Sequence, residues 1–297
     1  VSIVFEDIIR FWDEPLHRLD MPSSDALAMA AEMYRQGLIK QYASPPQKGG
    51  LRLSGLGKPA LDIFARKFHP EWFTTDWQTE RLTQLFHAGD TFEADMYIHL
   101  DRFGYEVEDT QRVVSFEGVT GHTDFIVRSA AGEQFLLELK TCAGHKFTQY
   151  TEDSKGVLKN IECIPKTYRT QLALYQQCLG MDSYWCFYNK DTSDIFFRPF
   201  IPSENAHLIS RAEQVIAEYA RITEWDEVFN VFCAPPPEGE KYKNAMTGNF
   251  KVPQDIDKQL APHIYEVIES RNNYGKMTSY VTGYRMPDGS VEPLDIP

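Results

Sequence analysis

The sequence predicts an α/β fold, with strands in its middle third and helices on both sides of them. Three observations carry this. Phe135, Leu136, Leu137 and Leu139 make an apolar run of the length of a buried strand. Helix-like apolar spacing precedes that run over Gln78 to Phe103 and follows it over Tyr168 to Leu179. Tyr184 to Tyr188 and Ile195 to Ile201 then read as two more strands about the turn Asn189-Lys190-Asp191-Thr192-Ser193.

Taken in order, Val1 to Lys48 hold helical segments, in which Phe5, Phe11 and Trp12 read as packing residues. Ser44-Pro45-Pro46 is a linker. Leu51 to Pro59 form a glycine-containing segment before a helix over Ala60 to Phe68. In the long helix that follows, Leu82, Leu85, Phe86, Phe92, Met96 and Leu100 supply the apolar positions. Arg112 to Phe116 and Thr123 to Val127 read as strands joined by a turn over Glu117 to Gly121, and Ser129 to Glu133 as a hairpin loop into the third strand. Lys146 to Lys159 has little periodicity and reads as a loop. Ser203 to Thr223 is helical, with Leu208, Ile209, Ala212, Val215, Ile216 and Tyr219 at the right spacing. After Trp225 the pattern gives way to an irregular tail containing Pro235-Pro236-Pro237. The expected organisation is a helical N-terminal extension over 1–50, a core over 51–223 and a loop-rich tail over 224–297 that packs on the core.

A chain of 297 residues can bury one substantial core with appendages. No apolar stretch reaches membrane-spanning length and no signal-peptide pattern is present, so a cytoplasmic protein without a membrane partner is expected. The five cysteines (Cys142, Cys163, Cys178, Cys186, Cys233) are odd in number and form no C-x-x-C pair, which fits reduced thiols. Net charge is −13, from 30 basic and 43 acidic residues, which argues against a dedicated nucleic-acid-binding module. The charge is uneven, however. Between Lys140 and Arg169 six basic residues stand against three acidic ones, and a basic flap carrying Lys146, Lys155 and Lys159 could close over a polyanion.

The chemistry concentrates in Gly121 to Lys140, GHTDFIVRSAAGEQFLLELK. Side chains alternate along a strand, so Glu138 and Lys140 share one face while Leu137 and Leu139 share the other. Buried charge is costly unless paired or bound to a metal. An ion pair would account for Glu138 and Lys140 but leaves Asp124 unexplained. An antiparallel meander can bring Asp124 beside Glu138, and two acidic oxygens with the Leu139 carbonyl suit a hard cation such as Mg2+ or Mn2+. Lys140 would then lie near a metal-bound water.

Asp124 with Glu138-Leu139-Lys140 resembles the D…(D/E)-x-K core of the PD-(D/E)XK nucleases. Gly89-Asp90-Thr91-Phe92-Glu93 resembles the G-x-x-x-(H/E) helix motif of their RecB-like branch, and Gln171-Leu172-Ala173-Leu174-Tyr175 its Q-x-x-x-Y helix motif. The pieces stand in that branch's order. Arg52-Leu53-Ser54-Gly55-Leu56-Gly57 resembles the R-x-S-x-x-G segment found upstream in phage-type and RecB-like nucleases. With Lys58 it reads as a phosphate clamp before a helix start. The family's version often ends in a cysteine that ligates an iron–sulfur cluster. Here Pro59-Ala60-Leu61 stand there, so no cluster is expected.

The resemblance implies a restriction-endonuclease-like core, a central mixed sheet flanked by helices. It implies one or two Mg2+ or Mn2+ ions held by Glu93, Asp124, Glu138 and the Leu139 carbonyl, with Lys140 at the attacking water. Gln171 and Tyr175 would contact the DNA backbone or brace the lysine. Arg52, Ser54, Lys58, Lys146, Lys155 and Lys159 would bind DNA. The implied activity is a metal-dependent DNA exonuclease of phage-type recombination or genome processing, acting on linear DNA with a single-strand-binding or annealing protein as partner. A structure-specific endonuclease of the same fold is the first alternative. A non-catalytic DNA-binding or assembly module is the second.

Overall fold

The computed structural model describes residues 21–42, 50–72, 80–151, 158–225, 227–228, 250–251, 263, 265–271, 277–285 and 289–293. Phe5, Phe11, Trp12, the Ser44-Pro45-Pro46 linker, Lys155, Cys233 and Pro235-Pro236-Pro237 lie outside these residues. The chain divides into two compact units. The first comprises Val1–Lys48, Arg52–Gly57 and Asp76–Ala212; the second comprises Gly49–Leu51, Lys58–Thr75 and Glu213–Pro297. No helix among the described residues is long and apolar enough to cross a membrane.

The first unit is α/β, with a five-stranded mixed sheet flanked by helices. Helix α1 (Ser24–Tyr42) belongs to it; α2 (Ala60–Phe68) belongs to the second unit. The first unit continues with α3 (Glu80–Arg102), β1 (Glu106–Thr110), β2 (Val113–Phe116), β3 (Val119–His122), β4 (Phe125–Arg128) and β5 (Gln134–Cys142). Next come α4 (Gly144–Tyr150), α5 (Lys166–Leu179), β6 (Asp182–Asn189) and β7 (Ile195–Pro199). The division between units falls within α6 (Pro202–Arg221). Sheet order is β1-β4-β5-β6-β7, antiparallel throughout except for the parallel β5–β6 pair. That pair requires a long crossover, which α4 and α5 supply.

β5 lies at the centre of this sheet, and its alternation sorts the two layers. Phe135, Leu137 and Leu139 pack with Phe92, Met96 and Leu100 of α3, and with Phe125, Val127, Tyr184, Cys186 and Phe197 of the neighbouring strands. Each large side chain buried this way contributes about 1.5–3 kcal/mol. The even positions face α5. The expected partition of Leu137 and Leu139 from Glu138 and Lys140 is thus the observed one.

The strand pairing differs from the sequence reading in one instructive way. The five-residue turn over Glu117 to Gly121 is instead a two-residue turn at Glu117-Gly118, with β3 beginning at Val119 and pairing β2. β1, which the periodicity did not reveal, pairs with β4. Between these two pairings the chain still bonds to itself: Gln111 N–H donates to Asp124 O at 3.1 Å and Thr123 N–H to Arg112 O at 3.0 Å. β1–β2 and β3–β4 therefore form one long antiparallel hairpin with a bend in it. Asp124 stands at the bend. Short polar strands with charges such as Glu106, Glu108 and Asp109 lack the apolar alternation by which a strand is read, because β1 is an edge of the sheet.

Part of the stretch read as a loop is helical. Gly144 to Tyr150 is helical, and Tyr150 is buried against Phe187. Buried Arg198, on β7, donates to Tyr150 O at 2.7 Å and to Lys159 O at 2.6 Å.

In the second unit, α2 buries Leu61, Ile63, Phe64 and Ala65. Lys67 Nζ caps carbonyls at Tyr219 (2.6 Å) and Ile222 (2.7 Å). Trp72 is stacked between the rings of His69 and His263. Within the stretch read as an irregular tail, the described residues form β8 (Phe250–Lys251), β9 (Tyr265–Arg271), β10 (Met277–Arg285) and β11 (Val291–Pro293), with β10 pairing the other three.

Candidate active site

β4 begins at Phe125, and just before it the side chain of Asp124, not a strand residue, bonds to β5. β4 pairs with β5 up to Phe125↔Leu137. One step further, Asp124 Oδ2 accepts the Leu139 N–H at 2.7 Å. The N–H and C=O of one strand residue point to the same side. The Leu139 carbonyl therefore faces the flank on which Asp124 lies.

Glu138 is 1% exposed and Lys140 stands beside it on the same strand face. Lys140 Nζ donates to Glu138 Oε1 at 2.5 Å, and Gln171 Nε2 donates to the same oxygen at 2.6 Å. Gln171 Nε2 also lies 3.2 Å from the Tyr175 hydroxyl. The pair one turn apart on α5 thus braces Glu138, and through it the lysine. The other oxygen, Glu138 Oε2, is buried and makes no hydrogen bond of good geometry among the described residues; the nearby Asp124 amide only weakly helps hold its charge.

Glu93 projects from α3, half-buried, with Gln111 Nε2 3.3 Å from its Oε2. The electrostatics of these carboxylates are linked. Burial, then the charge of Asp124, pushes the Glu93 carboxyl up to about 8, with Asp90 and Glu138 adding and Lys40 opposing. Burial and then Asp124 push Glu138 up to about 8, against the pull of Lys140. Asp124 is raised by burial, although Lys140 and the Leu139 amide favour its charged form. Lys140 is held above its ordinary value: burial opposes its charge, and Glu138 and Asp124 outweigh that. Tyr175 is raised by burial and by Glu138, so its hydroxyl stays protonated.

This donor set suits a hard divalent cation: the crowded carboxylates of Asp124 and Glu138, with the Leu139 carbonyl on the Asp124 side of the strand. Among the described residues no group of three or more His, Cys, Asp or Glu side chains is arranged to hold a metal ion as it stands. Asp124 and Glu138 supply the near pair, and Glu93 stands within electrostatic reach of both.

The structure adds residues that the motifs do not mark. Lys140 Nζ lies 5.3 Å from the Tyr168 ring centroid, a cation–π contact from α5. Gly121 passes so close to Tyr175 that a Cβ there would lie 2.8 Å from its Cε1, 2.9 Å from its Oη and 3.0 Å from Leu53 Cβ. Gly121→Ala is therefore expected to displace Tyr175, loosen its hold on Gln171 and cost about 1–3 kcal/mol in thermal denaturation. A glycine just before the aspartate motif was the available signal.

The upstream segment is placed by packing. Leu53 and Leu56 are fully buried, Arg52 and Ser54 are exposed, and Arg52 bridges to Thr120. Gly57, the glycine of the motif, has a packing reason: a Cβ would meet Thr167 Cα at 2.4 Å at the start of α5. Lys58 falls in the second unit. Lys146 is exposed on α4 and donates to Gln149 at 3.1 Å, while Lys159 Nζ donates to the Thr148 carbonyl.

No protein-family model and no curated protein matches the chain. Among solved structures, it is similar to the crystal structure of SSO0001, with 16% identity, a TM-score of 0.39, and coverage of 69% of this chain and 96% of that one. It is also similar to an alkaline exonuclease, LHK-Exo, from Laribacter hongkongensis, with 13% identity, a TM-score of 0.37, and coverage of 64% and 93%.

Proposed function

We propose that the protein is a metal-dependent DNA exonuclease of the PD-(D/E)XK type, hydrolysing phosphodiester bonds from DNA ends. The observation that carries this reading is the convergence of Lys140 and Gln171 on one oxygen of a buried Glu138, whose other oxygen is held only weakly, with a second carboxylate, Asp124, bonded to the next amide of the same strand. A structural ion pair between Glu138 and Lys140 does not need the second carboxylate. Crowding Asp124 and Glu138 together, with Glu93 near, costs stability whenever they are ionised, since burying an ion costs several kcal/mol.

A divalent cation, Mg2+ or Mn2+, would supply a water of lowered pKa and a positive charge for the leaving oxygen. Asp124, Glu138 and the Leu139 carbonyl would hold it, with Glu93 joining; Mg2+ commonly takes only one or two carboxylates and completes its shell with water and substrate phosphate. Lys140 keeps its proton and presents a fixed positive charge beside the scissile phosphate. Gln171 holds Glu138 in one rotamer, and Tyr175 limits Gln171, so the charge is preorganised rather than assembled during reaction. Tyr168 restricts the lysine from its other side. Arg52, Ser54, Lys58, Lys146, Lys155 and Lys159 are proposed contacts to DNA.

Digestion of end-labelled linear and closed-circular DNA with Mg2+ or Mn2+, comparing wild type with Asp124→Asn, tests this. Release of nucleotides from linear DNA alone, abolished in the variant, is the expected result. Cutting of circular DNA would replace the exonuclease reading with an endonuclease. Absence of cleavage on single- and double-stranded DNA would overturn the enzymatic reading and leave a DNA-binding module.

A further inference from the structure

Among the described residues, three other than glycine have positive φ (Gln111, Glu117 and Ser193), and one of these is outside a hairpin turn. Glu117 and Ser193 sit in the β2–β3 and β6–β7 turns, where such backbone is ordinary. Gln111, at φ +55°, lies between β1 and β2, alongside Thr123–Asp124 in the bend of the long hairpin. A left-handed conformation is unfavourable in a residue other than glycine, and Asn or Asp adopts it more readily than Gln. The Gln111 side chain is exposed, so apolar burial offers no compensation.

What the strained backbone achieves is a double contact. The Gln111 main-chain N–H donates to the Asp124 carbonyl at 3.1 Å, and its side-chain Nε2 reaches Glu93 Oε2 at 3.3 Å. One residue thereby touches the main chain of a carboxylate on the sheet and the side chain of a carboxylate on α3. Without it, nothing among the described hydrogen bonds joins Glu93 to the β3–β4 bend. The turn alone does not require glutamine, since glycine would bend the chain at lower cost.

We infer that Gln111 is a positioning residue that holds Glu93 against the Asp124 bend, so that both carboxylates address the same divalent cation. This rests on the metal-dependent reading of the site. It differs from that reading in naming a neutral residue, outside every motif of the sequence, as a determinant of metal affinity.

The test measures Mn2+ binding by titration calorimetry, alongside melting temperature, for wild type, Gln111→Gly and Gln111→Asn. Glycine accepts the left-handed backbone and removes the amide. Asparagine accepts the backbone and keeps an amide one carbon too short to reach Glu93. Both variants are expected to bind Mn2+ about tenfold or more weakly, the loss typical when a group that orients a metal ligand is removed, with Gln111→Gly melting no lower than wild type. Unchanged Mn2+ affinity in both variants would overturn the inference while leaving the nuclease reading intact. Failure of the wild-type protein itself to bind Mn2+ would overturn both, and is seen before any variant is compared.

Discussion

Replacing Lys140 by alanine is expected to lower turnover by about 10²–10³-fold, the loss typical of removing one preorganised charge from a transition state, with DNA affinity little changed. The lysine is nearly enclosed, bonded to Glu138 at 2.5 Å and flanked by the Tyr168 ring. It cannot swing outward to serve as a general phosphate contact without abandoning a buried carboxylate. Its removal also leaves Glu138 unpaired, which costs about 3–5 kcal/mol while that group stays ionised. Lys140→Arg separates the two effects. Arginine keeps the charge and a partner for Glu138, but its planar fork replaces a compact point charge. Turnover should therefore fall in Lys140→Arg although the melting temperature holds. If turnover tracks melting across both variants, the lysine is a structural ion-pair partner and the proposed role fails.

The second large effect is on stability, and its sign follows from the carboxylates. Glu93 and Glu138 are both raised to about 8, mainly by burial, whereas an unfolded chain titrates them near 4.5. The folded protein therefore holds protons that the unfolded chain has released between those values. Metal-free stability is greatest below about pH 4.5, as far as these two groups decide it, and falls as pH rises toward about 8. A divalent cation replaces the lost protons, and it competes with them below pH 8. Mn2+ at 100 times its Kd at pH 8 is expected to raise the melting temperature there by about 5–10 °C, and the same concentration by much less at pH 6. Asp124→Asn should remove this response. It should also make the metal-free protein less sensitive to alkaline pH, because the charge of Asp124 contributes to raising both neighbours. Equal metal shifts at both pH values, or a shift that survives in Asp124→Asn, would count against a cation at these residues.

Several parts of the site are legible in the amino-acid sequence because they are local. Glu138 and Lys140 lie two apart on one strand, and Gln171 and Tyr175 one turn apart on a helix, so periodicity alone assigns each pair a shared face. The apolar run Phe135–Leu139 announces burial, and charge within it demands a partner. The helices expected over Ala60–Phe68 and Ser203–Thr223 are observed as Ala60–Phe68 and Pro202–Arg221.

The rest depends on contacts between residues far apart in the chain, to which no periodicity refers. β1 is short, polar and at a sheet edge, so it carries no apolar alternation; only its pairing with β4 makes it a strand. Gln111 has no motif, and its meaning comes from a backbone angle set by the bend. Gly57 and Gly121 read as turn residues, whereas one admits the start of α5 and the other the ring of Tyr175. Arg198, in the strand expected over Ile195 to Ile201, is a buried clamp on two carbonyls far from it in the chain. Residue order is enough to say which side chains carry charge into a core strand and which pairs share a face, because both follow from the regular geometry of strand and helix. It does not say that Lys140 and Gln171 meet on one oxygen of Glu138 while the other is held only weakly. That follows from how a helix residue 33 positions further along the chain packs against the strand, a contact that local geometry leaves undetermined.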